Sequence, residues 1–149
     1  MKKVLLLGDS IRLSYQPHVK EKLSEIVEVV GAEENCRFAK YTLWGINTWI
    51  NELGKTGAEI IWATTTPVNN KNLTCRNDEI DRYNAVIADY MRNENIIIND
   101  LNTLHKGDID LYIQEDHLHL SEKRQLVCSE AVVIIFLVLL TAWILNSCI

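Results

Sequence analysis

The sequence predicts an α/β fold with a parallel sheet covered by helices, and two observations carry that expectation. Short apolar runs rich in β-branched residues recur along the chain. Segments with helical signals separate them, and such alternation sets strands in parallel with helices across their faces. With 149 residues and 48% hydrophobic content, the chain corresponds to about one domain with room for a real core.

The first run is Val4-Leu5-Leu6-Leu7. It follows Met1-Lys2-Lys3 in the manner of a secretory leader, but Gly8-Asp9 ends it well short of an apolar leader core. A first strand and no signal peptide are expected. Val27-Glu28-Val29-Val30, Ile60-Ile61-Trp62-Ala63-Thr64 and Ile96-Ile97-Ile98 supply further strands, read as buried on both faces. Between the last two, residues 77–92 carry the best helical pattern. Asn77 can cap it, and Ile80, Tyr83, Ile87, Tyr90 and Met91 fall mainly on one face.

Ser121 is expected to cap a last helix through its hydroxyl. That helix runs into residues 131–145, which carry no charge and are apolar on every side. Three readings of this tail stand: a C-terminal membrane anchor, a helix packed on the sheet, or aberrant sequence. Counted to Ile149, the stretch barely reaches the roughly 18–20 residues that a span needs. The expected division is 1–130 as the folded domain and 131–149 as the apolar helix. No internal repeat or linker interrupts the rest.

A net charge of −5, with no basic cluster beyond Lys2-Lys3 and Lys123-Arg124, argues against nucleic acid as a partner. Cys36, Cys75, Cys128 and Cys148 form no C-x-x-C pair, which leaves neither a structural zinc site nor a redox motif. Thiols in a reducing compartment are expected.

In a parallel α/β sheet, ligands sit beyond the carboxyl ends of strands, where Gly8-Asp9-Ser10 falls. Far along the chain stands Asp116-His117-Leu118-His119-Leu120-Ser121. A hydroxyl is a poor nucleophile at neutral pH unless an imidazole takes its proton, and a carboxylate fixes the imidazole tautomer. Together these residues read as the nucleophile, base and orienting acid of a serine hydrolase.

The two blocks resemble those of the SGNH, or GDSL-type, esterase and lipase family. There, Gly-Asp-Ser after the first strand carries the serine, and a late Asp-x-x-His carries the acid and base. Glu34-Asn35-Cys36-Arg37-Phe38-Ala39-Lys40-Tyr41-Thr42-Leu43-Trp44-Gly45 and Trp62-Ala63-Thr64-Thr65-Thr66-Pro67-Val68 also look like members of this family. The likeness covers most of the chain through Glu130. It implies a flavodoxin-like three-layer α/β/α fold, with Ser10 as nucleophile, Asp116 as orienting carboxylate and His119 as general base. The implied reaction is acyl transfer from small esters or acetylated carbohydrates to water, without metal or organic cofactor. The implied location is the cytoplasm, or a membrane surface if the tail is an anchor.

One departure matters. The family's two blocks that give a glycine N–H and an asparagine side chain to the oxyanion hole have no counterpart here. Instead Ile50-Asn51-Glu52-Leu53-Gly54-Lys55-Thr56-Gly57 runs straight into the strand near residue 60, so the fold is expected to be shortened near 50–58. Asn51 and Gly54 stand in the wrong order, and Asn69 and Asn70 follow a different strand. Losing one such donor costs roughly two to three orders of magnitude in rate. A catalytically impaired remnant or ligand-binding domain is therefore the alternative to an active esterase. If the shortened sheet leaves an open edge, a partner chain would have to cover it.

Plainer readings accompany these. Ser10 alone could cap a helix, and Asp9 reads as a turn former. His117 is expected as a solvated loop residue, and His18 and His105 as surface histidines. Trp44, Trp49 and Trp62 are expected in the core, while Thr64-Thr65-Thr66-Pro67 either borders the pocket or makes a turn. An α/β-hydrolase elbow requires Gly-x-Ser-x-Gly, and Arg12 occupies the last position. A phosphate-binding module would need a glycine-rich cradle where Asp9 places a carboxylate.

Overall fold

The computed structural model describes residues 3–31, 51, 55, 57, 59–109 and 113–146. The chain divides into two compact units, one made of Met1–Asn35 with Leu120–Ile149 and the other of Cys36–His119. Both are mixed α/β with parallel strands. The shortening expected near 50–58, together with Trp44, Trp49, Cys36 and Cys148, lies largely or wholly outside the described residues.

In the first unit, β1 (Lys3–Leu6) and β2 (Glu28–Gly31) pair in parallel, with Lys3 opposite Glu28 and Leu6 opposite Gly31. Parallel neighbours need a long crossover, and α1 (Ser10–Lys22) lies within it. Asp9 starts α1: its backbone is extended and its carboxylate accepts the Ile11 amide at 2.9 Å. Ser10 is thus the first helical residue and not the cap, and Asp9 shapes the turn as expected. Gly8, at φ 158°, must be glycine, because a Cβ there would stand 2.7 Å from the Arg12 Cβ. Arg12 is buried against this turn and donates to the Gly8 carbonyl at 3.2 Å and to Gln16 Oε1 at 2.7 Å.

α1 packs on β2 and on α4 (Glu122–Asn146). Tyr15, Val19, Leu23, Cys128 and Val132 are buried in this unit, each contributing about 1.5–3 kcal/mol of apolar transfer for the larger side chains. Burial also pushes the Tyr15 hydroxyl pKa upward. The expected burial of strands on both faces needs correction here. Leu6 and Val29 are buried, but Leu5 is 52% exposed and its partner Val30 is exposed as well. Residues alternate across a strand, and in this unit the described helices cover one face of the ladder. Ser121 is a second correction. Its carbonyl accepts the amides of Arg124 and Gln125, whereas its buried hydroxyl makes no hydrogen bond among the described residues.

In the second unit, β3 (Ile61–Ala63) pairs in parallel with β4 (Ile97–Asn99), with Trp62 opposite Ile98. The crossover contains α2 (Asn77–Asn93), whose Ile87 and Met91 form a core with Trp62, Tyr83, Tyr90, Ile96 and Ile98. Tyr83, Ile87, Tyr90 and Met91 of the apolar face read from the sequence lie in this core. Its start differs from expectation, because the cap position belongs to Arg76 and the Asn77 side chain is occupied elsewhere. α3 (Leu101–His105) follows β4, capped by Asp100, which accepts the Thr103 amide at 3.1 Å. His105 is buried, not superficial, with Nδ1 2.7 Å from the Leu101 carbonyl. The ring thus folds back one turn onto the carbonyl of the residue that opens the helix.

Candidate active site

The residues after β3 form an irregular segment held from behind by asparagines. Asn84 of α2 reads the backbone of Thr65 as a second strand would, its Oδ1 accepting the Thr65 amide and its Nδ2 donating to the Thr65 carbonyl, both at 2.9 Å. Asn102 adds a further bond to that carbonyl at 2.9 Å. Asn77 repeats the pattern on Val68, accepting its amide at 2.9 Å and donating to its carbonyl at 2.8 Å. Thr64 donates to Asp100 at 3.0 Å and accepts the Asn102 amide at 2.8 Å. Burial raises the Asp100 pKa, but hydrogen bonds from Thr103 and Thr64 outweigh it and the net shift is downward. Buried polar groups left unpaired would each cost about 1–3 kcal/mol, so these amides fix the course of the segment.

That segment carries the loop bearing the acid and base candidates. The Asn69 amide donates to the His117 carbonyl at 3.2 Å, and Asn72 Nδ2 donates to the same oxygen at 3.3 Å. Within the loop, His117 donates its amide to the Gln114 carbonyl at 2.9 Å, and the Gln114 amide donates to the His119 carbonyl at 2.8 Å. His117 itself sits at φ 60°, a left-handed conformation that turns the chain back. It is half-buried and serves the loop through its backbone, where the sequence pointed to a solvated side chain.

The turn at His117 aims His119 at Asp116. Asp116 Oδ1 accepts the amides of Leu118 at 3.0 Å and His119 at 2.9 Å, while Oδ2 lies 2.5 Å from His119 Nδ1. The His119 side-chain hydrogen bond, with the two backbone amides, holds the Asp116 carboxyl down at about 2. An ionised carboxylate only accepts, so Nδ1 carries the proton and Nε2 is the basic nitrogen of the neutral ring. Asp116 is 47% exposed and His119 34%, so the pair meets at the surface of its unit.

Asp116 and His119 thus meet, as the family resemblance implied. Ser10 belongs to the other unit, at the first turn of α1, half-buried behind the Asp9 cap. Near the histidine loop, Val68, Asn69, Asn70, Asn72, Cys75, Arg76, Asn77 and Asp78 surround a cavity of about 260 Å³. Asn69 is spent on the loop, its Oδ1 accepting the Lys71 amide at 2.8 Å. Sequence reasoning missed Asn72, Asn84 and Asn102, although the density of asparagines after residue 68 was a signal for a hydrogen-bonded loop. Among the described residues, no cluster of three or more His, Cys, Asp or Glu could hold a metal ion.

No family profile and no curated protein sequence matches the chain. Solved structures do. A lipase/acylhydrolase from Enterococcus faecalis is 18% identical, with 89% of this chain and 94% of that one covered and a TM-score of 0.74. A member of the lipolytic protein G-D-S-L family from Veillonella parvula is 15% identical, with 91% and 98% covered and a TM-score of 0.69. The acetyl xylan esterase AlAXEase is 14% identical, with 87% and 97% covered and a TM-score of 0.67. From its parallel strands and helices to this agreement along almost the whole of each neighbour, the chain has the fold of the SGNH/GDSL-type lipolytic hydrolases.

Proposed function

We propose that this protein is a serine acyl hydrolase that cleaves small acyl esters, acetylated carbohydrates among them, with Ser10, His119 and Asp116 as its triad. The single observation that carries the reading is the Asp116–His119 pair, a carboxylate on Nδ1 that leaves Nε2 as the base. Two features support it: Gly8-Asp9-Ser10 starts α1 at the carboxyl end of β1, and the neighbours in fold are described as esterases and acylhydrolases.

In this reading His119 Nε2 takes the Ser10 Oγ proton as the oxygen attacks the ester carbonyl. The imidazolium returns that proton to the departing alcohol, leaving an acyl-serine. Water, deprotonated by the same nitrogen, then releases the carboxylic acid and restores Ser10. Asp116 stays ionised throughout and stabilises the imidazolium. Hydrolysis of p-nitrophenyl acetate tests it: wild-type protein should turn over, and Ser10→Ala should remove the signal. Turnover unchanged in Ser10→Ala overturns the nucleophile.

A further inference from the structure

We infer that α4 beyond Glu130 is a lipid anchor, entering the hydrocarbon of a bilayer while the first turns of the same helix stay docked on α1. The inference does not depend on the hydrolase reading.

Two boundaries on α4 coincide. Glu122, Lys123, Arg124 and Glu130 are its only charged residues, all in its first nine positions, and Glu130 reaches Lys22 at the end of α1 at 3.8 Å. The buried residues stop at the same place: Cys128, Ser129 and Val132 are buried, and among the described residues no later one of the helix is. Past that point the helix is uncharged and largely exposed, with Leu137, Val138, Ile144 and Leu145 all open. Over Glu122–Leu145 the most apolar stretch has a mean hydropathy of 2.5, and 22% of it is buried. A core helix with that composition would be mostly covered.

The distribution around the helix selects the occupant. Ile134 and Trp143 are separated by about two and a half turns and therefore point to opposite sides. Both are more than half exposed, at 61% and 53%. A second copy or another protein laid along α4 would cover one stripe and leave the opposite side in water. Lipid chains cover every side at once, and they suit a helix with no polar face. From Ala131 to Asn146 the helix rises about 24 Å at about 1.5 Å per residue, which carries it past the middle of a hydrocarbon core about 30 Å thick. The only polar side chain described along its middle, Thr141, satisfies itself by donating to the Leu137 carbonyl at 2.8 Å, as a lipid-facing hydroxyl must.

The test is flotation of the full chain, purified in detergent and reconstituted with phosphatidylcholine vesicles, followed by carbonate extraction. Most of the protein should rise with the lipid and resist extraction, with little dependence on added anionic lipid because the inserting segment is neutral. Ile134→Lys combined with Val138→Lys alters two exposed positions, so circular dichroism should be unchanged while the floated fraction falls at least tenfold. Wild-type protein left at the bottom of the gradient overturns the inference, as does equal flotation of the double variant. A discrete dimer in detergent-free buffer that ignores vesicles overturns it in favour of a second copy.

Discussion

Asp9 and Asp116 make the same local hydrogen bond and end in different chemistry. Each accepts the amide two residues on, Ile11 at 2.9 Å and Leu118 at 3.0 Å. After Asp9 the backbone continues as helix, and the side chain three positions on, Arg12, turns back to the Gly8 carbonyl. After Asp116 the left-handed His117 prevents a helix, and the residue three positions on, His119, returns its ring to the carboxylate. The comparison teaches that the Asp-x-x-His spacing does not by itself make an acid–base pair. One residue of left-handed backbone between them does so, while Asp9 spends its carboxylate on starting the helix that presents Ser10.

Asp116→Asn should break the comparison most severely. The amide can keep a backbone bond but selects the wrong tautomer of His119, and kcat/KM on p-nitrophenyl acetate should fall about 10³–10⁴-fold with the fold intact. Next is Asn84→Ala, which strips the Thr65 backbone of two bonds in a buried place; denaturant unfolding should show a loss of about 2–3 kcal/mol. Asp9→Ala should cost about 1 kcal/mol in the same assay, and Asp9→Asn should restore most of it, since asparagine caps as well as aspartate.

His117→Gly sharpens the contrast from the other side. Glycine relieves the left-handed strain but adds unfolded-state freedom, leaving a net gain of about 0.5 kcal/mol. If His117 were the base, the same variant would instead abolish turnover. The smallest effect is in titration. Because the Asp116 carboxyl is depressed to about 2 from an ordinary 3.8, its bond to His119 is fully present above the ordinary value and is lost as pH falls through the lower one. Carbon-detected NMR of the Asp116 carboxyl should place its midpoint near the lower value.

What the sequence made legible was local. The strands and the apolar face of α2 follow from apolar runs and periodicity, whereas the pairing of Asp116 with His119 came only from the resemblance to a family. What it hid depends on distant partners. Asn77 looks like a cap, yet its amide pairs with Val68, nine residues away. Asn84 and Asn102 meet Thr65 from 19 and 37 residues away, and no local pattern encodes that meeting. His105 read as superficial because its burial depends on how the short helix packs, which no local pattern records. Strand burial was overread for a similar reason: an apolar run such as Val4-Leu5-Leu6-Leu7 does not say whether helices cover one face or two.

The most direct test of the central claim is labelling of the full chain with a fluorophosphonate probe, followed by peptide mapping. An activated serine should carry the label at Ser10, and labelling should slow at least a hundredfold in His119→Ala. No label, or label on another residue, would contradict it.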